Sequence, residues 1–202
     1  MQHRVALSCL LVLAAACGRD RPREAPAAPT AAPTAVPPAA AAPASTRGQQ
    51  AIAALKQRLR TDLSKALEGG TAKAVDVCST AAKQITDGLA ADGLTLGRAT
   101  RKPRNPANAV AGWQAEALAE FEATVAAGKP LDGARYLRQL PDGQVRYAEP
   151  LVTQALCLKC HGAELEPDVR AAIATAYPAD QATGYADGAL RGLAWAEYRV
   201  AP

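Results

Sequence analysis

The residues with the most chemistry in this chain are Cys157-Leu158-Lys159-Cys160-His161. Two thiols three positions apart, followed at once by an imidazole, have the spacing that attaches a c-type haem. Each thiol can add to one vinyl group of the porphyrin, and the histidine is then placed to bind the iron from one side. The same cysteines also suit a zinc site or a redox dithiol of the thioredoxin type. Haem is the preferred reading, because His161 follows directly and no second C-x-x-C exists to complete a zinc site.

The ligand on the other side of the iron is a question of counting. Met1, His3 and Cys9 fall in a segment that reads as an export signal, so after its removal His161 is the one histidine and no methionine is left. Neither bis-His nor His/Met ligation can then be built within one subunit. Cys78 is the one thiol besides the attachment pair and Cys17. It reads either as a sixth ligand or as the small buried hydrophobe that an unpaired cysteine on an apolar face usually is, with open, five-coordinate haem as the competing arrangement. Arg101, Lys102 and Arg104 lie between and beside Pro103 and Pro106 in a loop that cannot be regular. Arg101 and Arg104 are candidates to pair with the two haem carboxylates; a solvated basic loop is the alternative.

The elements that must position these groups start well inside the chain. Residues 1–16 carry Arg4, an apolar run from Val5 and small residues at Ala14-Ala15-Ala16, the pattern of a secretory signal too short to stay as a membrane span. Cys17 after small residues resembles a lipobox cysteine that becomes a lipidated N-terminus, although the usual leucine three places before it is missing; plain signal cleavage is the alternative. Residues 17–47 are rich in Ala and Pro, with prolines from Pro22 to Pro43. Such a segment tends towards polyproline-like extension and would act as a semi-stiff spacer of up to roughly 75 Å. A disordered leader fits the same composition.

The folded domain is expected over 48–202. Ile52, Leu55, Leu59, Leu63 and Leu67 repeat at helical spacing up to Gly69-Gly70. Thr71 would cap a second helix, whose apolar face runs through Val75, Cys78, Ala82, Ile85 and Leu89 and turns Cys78 inward. A short strand is expected over Leu94–Thr100 and a third helix from Trp113 to Gly128. Pro141-Asp142-Gly143 reads as the turn of a hairpin between Ala134–Leu140 and Val145–Val152. A helix over Pro167–Ala176 follows the haem motif, and a last strand over Leu190–Val200 carries Trp195 and Tyr198 on opposite faces. N-terminal helices, an antiparallel sheet and further flanking helices make the class α+β.

From Gly48 to Val200 the chain resembles the bacterial and cyanobacterial single-haem c-type proteins with a PAS-like fold, a domain also found as the extracytoplasmic sensor part of some histidine kinases. The resemblance rests on four ordered motifs: Val77-Cys78-Ser79; Gly97-Arg98 with Arg104-Asn105-Pro106-Ala107-Asn108; Cys157 to Gly162; and Ala182-Thr183-Gly184-Tyr185 leading to Leu190-Arg191-Gly192. It implies a PAS-like antiparallel sheet flanked by helices, one covalent haem c, and axial ligation by His161 and Cys78.

The expected function is redox or small-ligand sensing, or electron transfer, outside the plasma membrane, with Cys17 as an anchor to its surface. A peroxidase-type enzyme is the weaker alternative, since the chain lacks a second histidine for distal acid-base work; a zinc-binding module is the third. The net charge of +4 is small and the cations are spread, which excludes a nucleic-acid footprint. No kinase or other output segment follows Pro202, so a separate redox or sensor partner is expected. A homodimer is compatible with the sequence.

Overall fold

The structure, a computed structural model, describes residues 38–200. Helix α1 (Pro38–Glu68) and helix α2 (Thr71–Leu89) come first, then strand β1 (Thr95–Ala99) and helix α3 (Gly112–Ala126). Strands β2 (Tyr136–Gln139) and β3 (Gln144–Val152) form a hairpin. Helices α4 (Leu158–His161) and α5 (Pro167–Ala176) lead to strand β4 (Leu190–Arg199). Single 3-10 turns sit at Pro106–Asn108 and Ala155–Cys157. The expected α+β class is what the chain adopts.

All strand pairs are antiparallel, in the order β1-β4-β3-β2. Because side chains alternate across a strand, β4 feeds two cores at once. On one face Ala194, Ala196 and Tyr198 pack with Leu96, Val145 and Tyr147 under Ile52 and Leu55 of α1 and Ile85 of α2. On the other, Leu193 and Trp195 meet Ala99, Tyr136 and Ala148 under Leu118 and Phe121 of α3. Trp195 and Tyr198 therefore do face opposite ways. A smaller cluster joins Val75 of α2 to Val169 and Ile173 of α5, with Cys160 packed against it.

Two glycines show how closely the layers approach. A Cβ on Gly48 of α1 would sit 2.5 Å from the Tyr147 ring, and the Gly48 N–H donates to the Tyr198 hydroxyl at 2.9 Å. Gly97 pairs with Trp195 across the β1–β4 ladder, and the indole lies where a Cβ would be, 2.9 Å away.

Some expected boundaries move. Helix α1 starts at Pro38 rather than near Gly48, so the last residues of the Ala/Pro segment are helical and not extended. Alanine is the best helix former, and proline is tolerated in a helix's first turn, where its missing N–H has no partner to lose. Gly70, at φ 99°, caps α2, and Thr71 is its first helical residue, not the cap. The signal segment and Cys17 lie outside the described residues.

Candidate cofactor site

The motif Cys157 to His161 lies in the 37-residue excursion between β3 and β4, counting 153 to 189. The excursion is pinned at its neck, where the Thr153 N–H donates to the Ala189 carbonyl at 2.8 Å and the Gly188 N–H to the Thr153 carbonyl at 2.9 Å. Inside it the 3-10 turn Ala155–Cys157 runs into α4, which ends as Gly162 turns to extended backbone. A Cβ at Gly162 would meet the Leu158 carbonyl at 2.7 Å, so a glycine is required for the motif to turn away there.

His161 is held by its backbone and by one ring nitrogen. Tyr185 N–H donates to the His161 carbonyl at 2.9 Å, and Gly184 N–H to that of Gly162 at 2.9 Å. Nδ1 lies 2.7 Å from the Ala182 carbonyl, which can only accept, so Nδ1 carries the proton and Nε2 presents a lone pair. Burial, and then the Arg191 and Arg104 guanidiniums, push the ring's pKa down to about 3. The imidazole is therefore neutral and ready as a donor ligand. Arg191 Nη1 donates to that lone pair at 2.9 Å.

Cys78 comes to the same place from α2. It is one turn on from Val75, and residues three apart share a helix face, so it lies beside the cluster against which Cys160 packs. Cys78, Cys157, Cys160, His161 and Arg191 all line one cavity of about 1460 Å³. That exceeds the roughly 300–1,000 Å³ of pockets built for drug-sized ligands. Leu59, Leu63, Leu67, Val75, Leu96 and Leu151 give it an apolar wall. Burial pushes the Cys78 thiol up, while Arg98 and Arg104 pull it partly back. Burial raises Cys160 as well.

The two candidate carboxylate partners separate. Arg104 lines the cavity, but its guanidinium is committed to Asp180 at 3.0 and 3.4 Å, to the Cys160 carbonyl at 2.5 Å and to the Ala182 carbonyl at 3.4 Å. It is a clamp on the segment that orients His161. Arg101 is not at the cavity: it forks onto Glu122 at 2.7 and 2.8 Å on the exposed surface. Lys102 donates to the Thr183 carbonyl at 2.5 Å. Arg98 and Arg191, to which the sequence assigned no role although both lie in the four ordered motifs, also line the cavity, and neither has a carboxylate partner among the described residues.

The zinc alternative finds little support in this geometry. Among the described residues no three His, Cys, Asp or Glu side chains converge as a closed zinc site requires.

A family model described as Tll0287-like matches residues 39–196. Among solved structures, the crystal structure of the cyanobacterial heme-protein Tll0287 matches with 28% identity and a TM-score of 0.56, over 82% of this chain and 100% of that one. No curated protein matches significantly.

Proposed function

The chain belongs to the Tll0287-like family, and from that premise we propose that it is a c-type haem protein of redox or small-ligand sensing, or electron transfer. Cys157 and Cys160 would hold one haem through thioethers, and His161 and Cys78 would hold its iron. The observation that carries this reading is His161 itself, neutral, with Nδ1 tied to Ala182 and Nε2 towards a cavity that Cys78 also lines. The solved relative is a heme-protein by its description.

The residues present fit such a group. A soft thiol and a neutral imidazole share one large, partly apolar cavity, and the buried Nε of Arg191 has no hydrogen-bond partner. Bound there, haem supplies a one-electron centre whose potential the protein sets through axial ligands and burial. His161 binds through Nε2, which requires Arg191 to release that lone pair. Arg104, through Ala182, fixes the tautomer that makes this possible, in the manner of partners that orient metal-binding histidines. Burial disfavours a free thiolate at Cys78, so the thiolate form depends on the metal. A sheet covered by helices on both faces, with a cofactor cavity at one of them, supports the PAS-like reading.

Attachment through C-x-x-C-H takes place outside the bacterial plasma membrane, and the N-terminus reads as an export signal, so the mature protein is extracytoplasmic and held at a membrane surface through Cys17. Among the described residues no helix is long and apolar enough to cross a membrane.

The test is acid-acetone extraction of the denatured protein after expression with a haem-attachment system. Haem should stay with the wild-type polypeptide and be lost from Cys157→Ser/Cys160→Ser. Haem that extracts freely from the wild type would refute covalent attachment.

A further inference from the structure

Arg98 stands where the strand period calls for an apolar side chain. It shares with Leu96 the face of β1 that α1 and α2 cover, and its register partner on β4 is the small Ala194. Its side chain makes no hydrogen bond or ion pair with any described residue. Arg191, at the start of the neighbouring strand, is tied to β1 by the Thr100 hydroxyl, which donates to its carbonyl at 2.6 Å. It gives one N–H to neutral His161 and buries its Nε without a partner.

Both guanidiniums line the same cavity and feel each other's charge: burial first, and then Arg191, lower the pKa of Arg98. Arg104 is already held by Asp180 and Lys102 by the Thr183 carbonyl. A half-buried charge with no carboxylate beside it is costly for a fold to keep, and two of like sign cost more. What would remove that cost is an anion, and two guanidinium forks match two carboxylates.

We infer that Arg98 and Arg191 together form the seat for the two carboxylates of the haem. This rests on the haem reading above. Were His161 Nε2 to hold the iron, Arg191 Nη1 would lose its present acceptor and become available to a carboxylate. Arg101 and Arg104, the carboxylate partners expected from the sequence, are then a surface ion pair and a clamp.

The test compares the full chain with haem attached and the full chain made without the attachment system, as wild type, Arg98→Gln, Arg98→Lys and Arg191→Gln. In the haem-free chain Arg98→Gln should raise Tm by roughly 2–4 °C, since it deletes an uncompensated charge. In the haem-loaded chain it should lower Tm by at least as much, and Arg98→Lys, which keeps the charge without the fork, should recover part of the loss. Resonance Raman bands of the haem carboxylates should shift in both Arg98→Gln and Arg191→Gln. A fall of Tm in both forms, or a haem-free Arg98→Gln chain that does not fold, would make Arg98 structural and overturn the inference. Unshifted carboxylate bands would overturn it while leaving haem in place. A wild type without haem would overturn it together with the function proposed above.

Discussion

On the function proposed above, Cys78 is the residue that would set the redox character of the site. It lies on α2, beside the motif in space although 79 residues from Cys157 in sequence, from 157 minus 78. As a ligand, its thiolate would push electron density onto iron and favour the ferric state. Cys78→Ala is expected to keep covalent haem, to shift the oxidised spectrum towards high spin or a water ligand, and to raise the midpoint potential in a redox titration. An unchanged oxidised spectrum would reduce Cys78 to core packing. The C-x-x-C-H motif from Cys157 to His161 is legible from spacing alone, because it is local. Arg98 and Arg191 are not, since each is a lone cation in a strand and only the β1–β4 pairing brings them to one cavity. Arg101 misleads for the converse reason. A basic loop looks available until α3 supplies Glu122.

At the scale of elements, periodicity marks most of the helices and strands to within a residue or two. It fails where composition carries two meanings, as in the Ala/Pro run that opens α1. Contacts across the sheet are not legible either. Gly97 looks like a weak point in a strand, yet the Trp195 indole fills the space a side chain would take. Gly97→Ala should gain about 0.4–1 kcal/mol from a stiffer unfolded chain and lose about 1–3 kcal/mol to overpacking. The net, roughly 1 kcal/mol destabilising in urea denaturation, should vanish in a Trp195→Phe background.

The hairpin turn is held electrostatically. Asp142 accepts from the Gln144 N–H at 3.0 Å and from Arg199 Nη2 at 2.8 Å, and these contacts, the Gln144 bond foremost, hold its carboxyl below the usual range. A depressed folded-state pKa gives stability that is present above the unfolded value of about 3.9 and lost as pH falls through the folded one. Asp142→Ala should therefore lower Tm at neutral pH, with the deficit closing below about pH 4. A deficit that persists in acid would assign the effect to turn geometry alone.

For the whole molecule, the sheet is a shared wall. Helices α1 and α2 stand on one side, and α3 on the other. Export and anchoring belong to this scale too. Mass spectrometry of the mature N-terminus should show Cys17 as the first residue and acylated; an unmodified Cys17 would remove the anchor and leave export intact.

The strand order also sets a sequence of events in time. β4 is the last strand along the chain, yet it lies between β1 and β3 and holds them together. Its pairing with β3 begins at Val152 and Leu190, which meet only across the whole intervening excursion, and runs out to Gln144 and Arg199. Contacts so distant along the chain form late, because the entropy of loop closure must be met before they stabilise anything. Until then β2 and β3 can pair locally, but the wall behind the cavity is still missing its central plank. On the haem reading proposed above, Cys157 and Cys160 would be made before that wall closes, and the interval would leave both thiols open to an attachment enzyme.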